Sequence, residues 1–156
     1  MLLPFFEWCE SLWLGQFIVN SNWLFPVIEA VHLLALSALG GAVLVVDLRL
    51  MGLGLKSRST SELWRAARPW MLGAIAMMIA TGVPLFLSEP IKCYYNDSFW
   101  VKMTALPIAI AFAFTIRARV TADGVRNTAR RQMLVGALSI ALWVVVAAAG
   151  RWIGFS

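Results

Sequence analysis

Four long apolar runs, separated by polar breaks, constrain this chain more than any other feature it carries. They fall at about residues 23–50, 69–87, 99–116 and 132–153. A hydrocarbon slab of about 30 Å takes about 20 apolar residues in helical form. Backbone N–H and C=O groups inside such a slab must pair within the structure, so only helices and closed barrels cross it. Unbroken apolar runs of this length, without strict alternation, read as helices. The expected fold is all-α: an integral membrane four-helix bundle, preceded by a short amphipathic helix lying in the interface over residues 1–20.

Composition supports the same class. The 156 residues are 61% hydrophobic and 13% charged, against roughly a quarter charged in a soluble domain. The net charge of +5 does not point to nucleic acid, because the basic residues sit in the breaks between apolar runs. They act there as topology signals. The length suits one compact membrane domain over residues 1–156, with no separate soluble catalytic domain, so the chain is not expected to be an enzyme on its own. The first twenty residues hold no Lys or Arg, which leaves a secretory signal without its positive n-region.

The N-terminal stretch combines Glu7, Glu10 and Ser11 with Phe5, Phe6, Leu12, Trp13 and Phe17, a mixture suited to the headgroup boundary. The first span places Phe25, Glu29, His32, Leu36, Val43 and Asp47 on one helical stripe. Ser37, Ala38, Gly40, Gly41 and Ala42 form a small-residue patch where another helix is expected to come close. Ser59-Thr60-Ser61-Glu62 marks a helix start, so residues 62–68 are expected to form a separate short interfacial helix. Thr81, Gly82 and Pro84 predict a kink late in the second span.

The first and third breaks, with Arg49, hold ten of the thirteen Lys and Arg residues. Lys92, Lys102 and Arg151 lie toward the opposite side. The positive-inside rule then predicts a multi-pass protein of the bacterial inner (cytoplasmic) membrane, with both termini periplasmic.

His32 is the only histidine, and Glu29 lies three positions before it. Ionisable groups inside a bilayer need a partner or a task. Both lie roughly 9–14 Å in from Trp23 at 1.5 Å per residue, a level the outer ends of the other spans share through Thr81, Lys102, Met103 and Arg151.

The run Trp23-Leu-Phe-Pro-x-x-Glu29-x-x-His32, followed by small residues and Val46-Asp-Leu-Arg-Leu-Met-Gly52, resembles a family of small bacterial four-helix membrane proteins of unknown function. The likeness extends through Thr81-Gly82 with Leu85-Phe86, Tyr95-Asn96 with Phe99 and Lys102, and Gly150-Arg151-Trp152. More distantly the chain resembles the membrane part of copper-resistance D proteins, which share a His-bearing helix ending in Asp-Leu-Arg-Leu. The resemblance implies the four-helix fold and the importance of the first span; it transfers no activity.

Several chemistries suit these residues. His32 can be an axial ligand to a b-type haem, with Met78 or Met103 opposite and Lys102 and Arg151 receiving propionates; a second copy's His32 would make a bis-histidine site. Glu29 and His32 can exchange protons with a quinone. His32, Met77, Met78, Met103 and Cys93 offer soft ligands to copper. The structural alternative pairs Glu29 with Lys102 or Arg151 to fix helix register. Cys9 and Cys93 both fall on the predicted periplasmic side and are a disulfide candidate. Asp47 is expected to pair with Arg117 or Arg119. The resulting expectation is a non-catalytic membrane subunit of a redox or electron-transfer assembly, in contact with the lipid bilayer and with other membrane subunits or further copies of itself. The alternatives are a structural anchor and a small copper-handling or transport protein.

Overall fold

The computed structural model describes residues 2–55, 57–123 and 127–155. Two of the basic residues counted above, Lys56 and Arg126, lie outside the described residues. Those described are helical with short connections and no strand. The helices are α1 (Leu3–Glu10), α2 (Trp13–Val19), α3 (Leu24–Leu50), α4 (Thr60–Ser88), α5 (Pro90–Tyr94), α6 (Asp97–Ala122) and α7 (Ala129–Ile153). Of these α3, α4, α6 and α7 are long and apolar enough to cross a membrane, with mean hydropathies between 1.7 and 2.3. Only 17–28% of the residues in their most apolar windows are buried inside the protein. Leu34, Ile79, Leu134 and Val144 all point outward at more than half exposure. An apolar exterior of that extent is what a lipid-facing bundle presents and what a soluble one avoids.

Helix boundaries differ from the expectation in three places. The N-terminal segment is two short helices, α1 and α2, rather than one. The expected short helix at 62–68 is the first part of α4, which runs unbroken through Pro69 and Pro84. Its start is the predicted one: the Ser59 side chain accepts from Glu62 N–H while the Glu62 carboxylate accepts from Ser59 N–H, satisfying two otherwise orphaned donors. The third span continues past residue 116 because a π-helical turn at Ala113–Arg117 carries the chain into a further turn at Ala118–Ala122.

The packing order is α4 against α3, α3 against α7, and α7 against α6, whereas α4 and α6 scarcely meet along the half of the bundle that carries α1. The core between them joins Leu39, Val43, Met71, Ala74, Ala109, Ala113, Trp143 and Val146. The close helix approaches are not at the Gly40–Gly41 patch, since a Cβ built on either meets nothing within 4 Å. They occur at Gly136, where a Cβ would lie 2.8 Å from Asp47 O, and at Gly15, 2.1 Å from Leu87 O. Gly136 lets α7 lie against the backbone of α3, and Gly15 lets α2 press on the end of α4.

At the Asp47 end of the bundle Arg117 is fully buried with Asp47, its Nε donating to Asp47 Oδ1. Its Nη2 donates to Val43 O at 3.1 Å and its Nη1 to Met71 Sδ at 3.5 Å. The guanidinium carbon stands 5.3 Å from the centre of the Trp64 ring. A buried guanidinium is tolerated where its charge and its donors find partners. The buried Ser139 hydroxyl stands next to the Asp47 carboxylate.

At the opposite end Phe6 of α1 packs edge-on against Phe86, Tyr94 and Phe99. This cluster, which includes Cys93, docks α1 on α5 and α6. Cys9 and Cys93 are both buried and both free thiols. The candidate disulfide is therefore not formed, and the aromatic cluster holds α1 over the bundle without it. Burial is the main reason the Cys93 thiol is pushed up to about 11, with the Glu89 carboxylate adding to it.

Candidate functional site

The imidazole of His32 projects from α3 toward α4, where its Nδ1 lies 2.7 Å from Thr81 Oγ1. Thr81 Oγ1 also lies 2.7 Å from Met77 O, one turn earlier in its own helix. The hydroxyl carries a single proton. Two oxygens at that separation with no proton between them would repel, so the proton goes to the Met77 carbonyl. Nδ1–H must then be the donor to Thr81. Nε2 is left without a protein partner among the described residues, as a hydrogen-bond acceptor or ligand held in one orientation. Gly82 makes room for the ring: a Cβ there would sit 3.4 Å from His32 Cε1.

His32 lines two cavities. The smaller, about 200 Å³, is bordered by the polar groups Glu29, Glu89, Lys102 and Arg151. The larger, about 540 Å³, is almost wholly apolar. His32, Met78, Gly82, Phe86, Phe99 and Lys102 border both, so the imidazole and the ammonium stand at the junction. Lys102 is half-buried, with Nζ 3.4 Å from where a Cβ on Gly150 would be. Gly150 thereby gives the lysine its space beside α7. No carboxylate lies within 4.0 Å of the Lys102 ammonium among the described residues, whose ion pairs are Lys92 with Glu89 and Arg117 with Asp47.

The other predicted site residues divide between the cavities. Glu29 is exposed and borders the smaller one, without an ion pair to Lys102 or Arg151; the register-fixing pairing is not made. Arg151 borders the same cavity, its guanidinium 4.7 Å above the Phe155 ring. Met78 touches both cavities, and Met103 only the larger. The copper set is not gathered in one place. Met77 faces an outer groove on α3 and α4, while Cys93 borders the smaller cavity alone. Among the described residues no group of three or more His, Cys, Asp or Glu side chains is placed to hold a metal ion. Thr81, the hydrogen-bond partner of His32, is placed by the sequence only through its depth. Its signal was its level in the second span, matching that of His32 in the first.

Fold and site together define a polytopic all-α membrane protein with an oriented imidazole and, among the described residues, a lysine without a carboxylate partner at one end of a four-helix bundle. Residues 5–156 match the model of a family of unknown function, DUF6644, and the chain belongs to that family. No curated protein and no solved structure matches it.

Proposed function

We propose that this protein is a membrane subunit that binds a redox-active amphiphile of the quinone class, as part of an electron-transfer assembly. The observation that carries the reading is the Thr81-fixed imidazole at the junction of an apolar cavity and a polar one. Neutral His32 offers Nε2 as acceptor to a quinol hydroxyl. Protonated, the same atom donates to a quinone carbonyl. Lys102, three donors on a flexible stem, reaches for a second ring oxygen. A cavity of about 540 Å³ lies in the range of small-ligand sites, which are mostly apolar with a few convergent polar groups. The charge bias of the breaks favours an orientation with this junction toward the periplasmic face of an inner membrane.

A b-type haem is the second reading, and the same hydrogen bond favours it. An axial imidazole is ordinarily held by its second ring nitrogen donating to an oxygen, as Nδ1 does here to Thr81. Met78 or Met103 would stand opposite, and Lys102 with Arg151 would receive the propionates.

One preparation separates the two. Organic extraction of protein purified in mild detergent is expected to yield a quinone in near-stoichiometric amount, lost in His32→Ala. A b-type band in the reduced-minus-oxidised spectrum, also lost in His32→Ala, transfers the site to haem. A colourless protein whose extract holds no quinone, and which binds no added quinone analogue, ends both readings.

A further inference from the structure

The larger cavity is walled by α4 through Ile75, Ile79 and Val83, and by α6 through Met103, Leu106 and Ile110. His32 and Leu39 of α3 form its back, and no residue of α7 borders it. Its walls are also the bundle's outer surface: Ile79 is 56% exposed, Val83 51% and Met103 49%. A cavity whose lining is half exposed on a lipid-facing surface opens sideways into the bilayer. It does so where α4 and α6 scarcely meet. At the Arg117 end the seam is shut, because Trp64 and Met71 of α4 take up the guanidinium carried by α6. At the other end Leu2, Phe5 and Phe6 of the α1 region border the cavity, with Phe6 anchored in its aromatic cluster.

We infer that this seam is a lateral port, and that its occupant is the apolar tail of the amphiphile whose head sits at His32 and Lys102. The inference rests on the proposed function for the head and on the seam's own shape for the tail. Three features select a tailed amphiphile over a compact ligand. The slot is continuous with the polar junction through shared residues. It runs about 12 Å along α4 from Ile75 to Val83 at 1.5 Å per residue. It opens to lipid, while α1 covers its headgroup end. A ligand loading this way never leaves the apolar phase with its chain, and it brings only its head to the imidazole and the ammonium.

The test uses the full chain reconstituted in liposomes of phosphatidylethanolamine and phosphatidylglycerol. Two probes are run in parallel: a quinone analogue and a phospholipid, each with a diazirine in its chain. Irradiation followed by peptide mass mapping is expected to place the quinone label on residues 75–83 and 103–110, with competition by unlabelled long-chain quinone. Leu106→Trp fills the slot and is expected to lower that labelling more than about tenfold, since a tail displaced by several methylenes loses that much affinity. Ile79→Trp serves where Leu106→Trp does not fold. Quinone label spread over the outer faces of α3 and α7, or undiminished labelling in both folded Trp variants, overturns the port. Equal seam labelling by the phospholipid without quinone competition overturns the assigned occupant. Failure of the proposed function looks different: native extracts without quinone alongside competed seam labelling by the added analogue leave the port standing.

Discussion

Arg117 and Asp47, seventy positions apart in the chain, form an ion pair from which solvent is wholly excluded. It ties α6 to α3 at the end of the bundle remote from His32. Removing one member of such a pair leaves the other charge buried and unpartnered, at a cost of about 3–5 kcal/mol. Arg117→Ala is expected to lower the thermal midpoint in detergent sharply, and Arg117→Met combined with Asp47→Leu to recover most of the loss. Circular dichroism melts of the three proteins check this. A single variant as stable as the double would show that the charge is not stranded.

Thr81 holds His32 through one hydrogen bond. Thr81→Val keeps the shape and removes the acceptor, whereas Thr81→Ser keeps both the hydroxyl and its bond to the Met77 carbonyl. A lost hydrogen bond of about 1–1.5 kcal/mol corresponds to about tenfold in affinity. Quinone titration by fluorescence quenching of the tryptophans is expected to show that weakening for Val and near-native binding for Ser. Equal affinity in all three proteins would mean that the imidazole is oriented by something else.

Gly136 and Gly41 provide a matched pair of substitutions. A Cβ on Gly136 collides with Asp47 O and crowds Met51 and Leu50, while one on Gly41 meets nothing. Gly136→Ala is expected to destabilise by about 1–3 kcal/mol, the usual cost of overpacking. Gly41→Ala should be neutral or slightly stabilising, because alanine is the better helix former. Unfolding in a denaturing-detergent series compares them directly.

The Cys93 thiol, raised to about 11 from an ordinary 9.0, is protonated and poorly nucleophilic near neutrality. Iodoacetamide should modify it slowly at pH 7.5 in the folded protein and faster as pH climbs toward 11. The linkage has the same sign. A group that holds its proton more tightly when folded contributes full stability below pH 9 and loses that contribution as pH rises from 9 to 11. Non-reducing mass spectrometry is expected to count two free thiols. An intact mass lower by two hydrogens would mean that Cys9 and Cys93 bond after all.

The spans and the partner of Asp47 were legible because they rest on properties local to each helix: apolar length, and a charge at a depth where charge must be matched. Glu62 and Ser59 announced a helix start, but nothing nearby said that the helix would continue. Pro69 looked like a boundary, yet α4 passes through it. The approach at Gly136 was hidden for a different reason. Gly40 and Gly41 make the denser small-residue patch, and which patch meets a backbone depends on the partner helix rather than on its own composition. The oriented imidazole was half legible. His32 and Thr81 share a level, but that the threonine would spend its proton on Met77 emerges only once the two side chains stand at fixed distances. The open seam between α4 and α6 follows from packing order, which no single run of residues encodes.

The π-helical turn at Ala113–Arg117 has a consequence for how α6 serves its two ends. Residues four apart on an ordinary α-helix drift by about 40° at each step, so Ala109, Ala113 and Arg117 would fan away from a common line. All three are instead buried toward the bundle, because the wider turn absorbs the drift. The helix thus runs in two phases, one aiming Lys102 at the junction beside His32 and the other aiming Arg117 at Asp47. Deleting one residue within the turn would barely alter hydropathy or length. It would return the turn to ordinary α-helix, in which the seven residues then separating Ala109 from the arginine make two turns to within about 20°. The guanidinium would keep its direction toward Asp47, whereas an α-helical turn of the full length would swing it aside by about 80°.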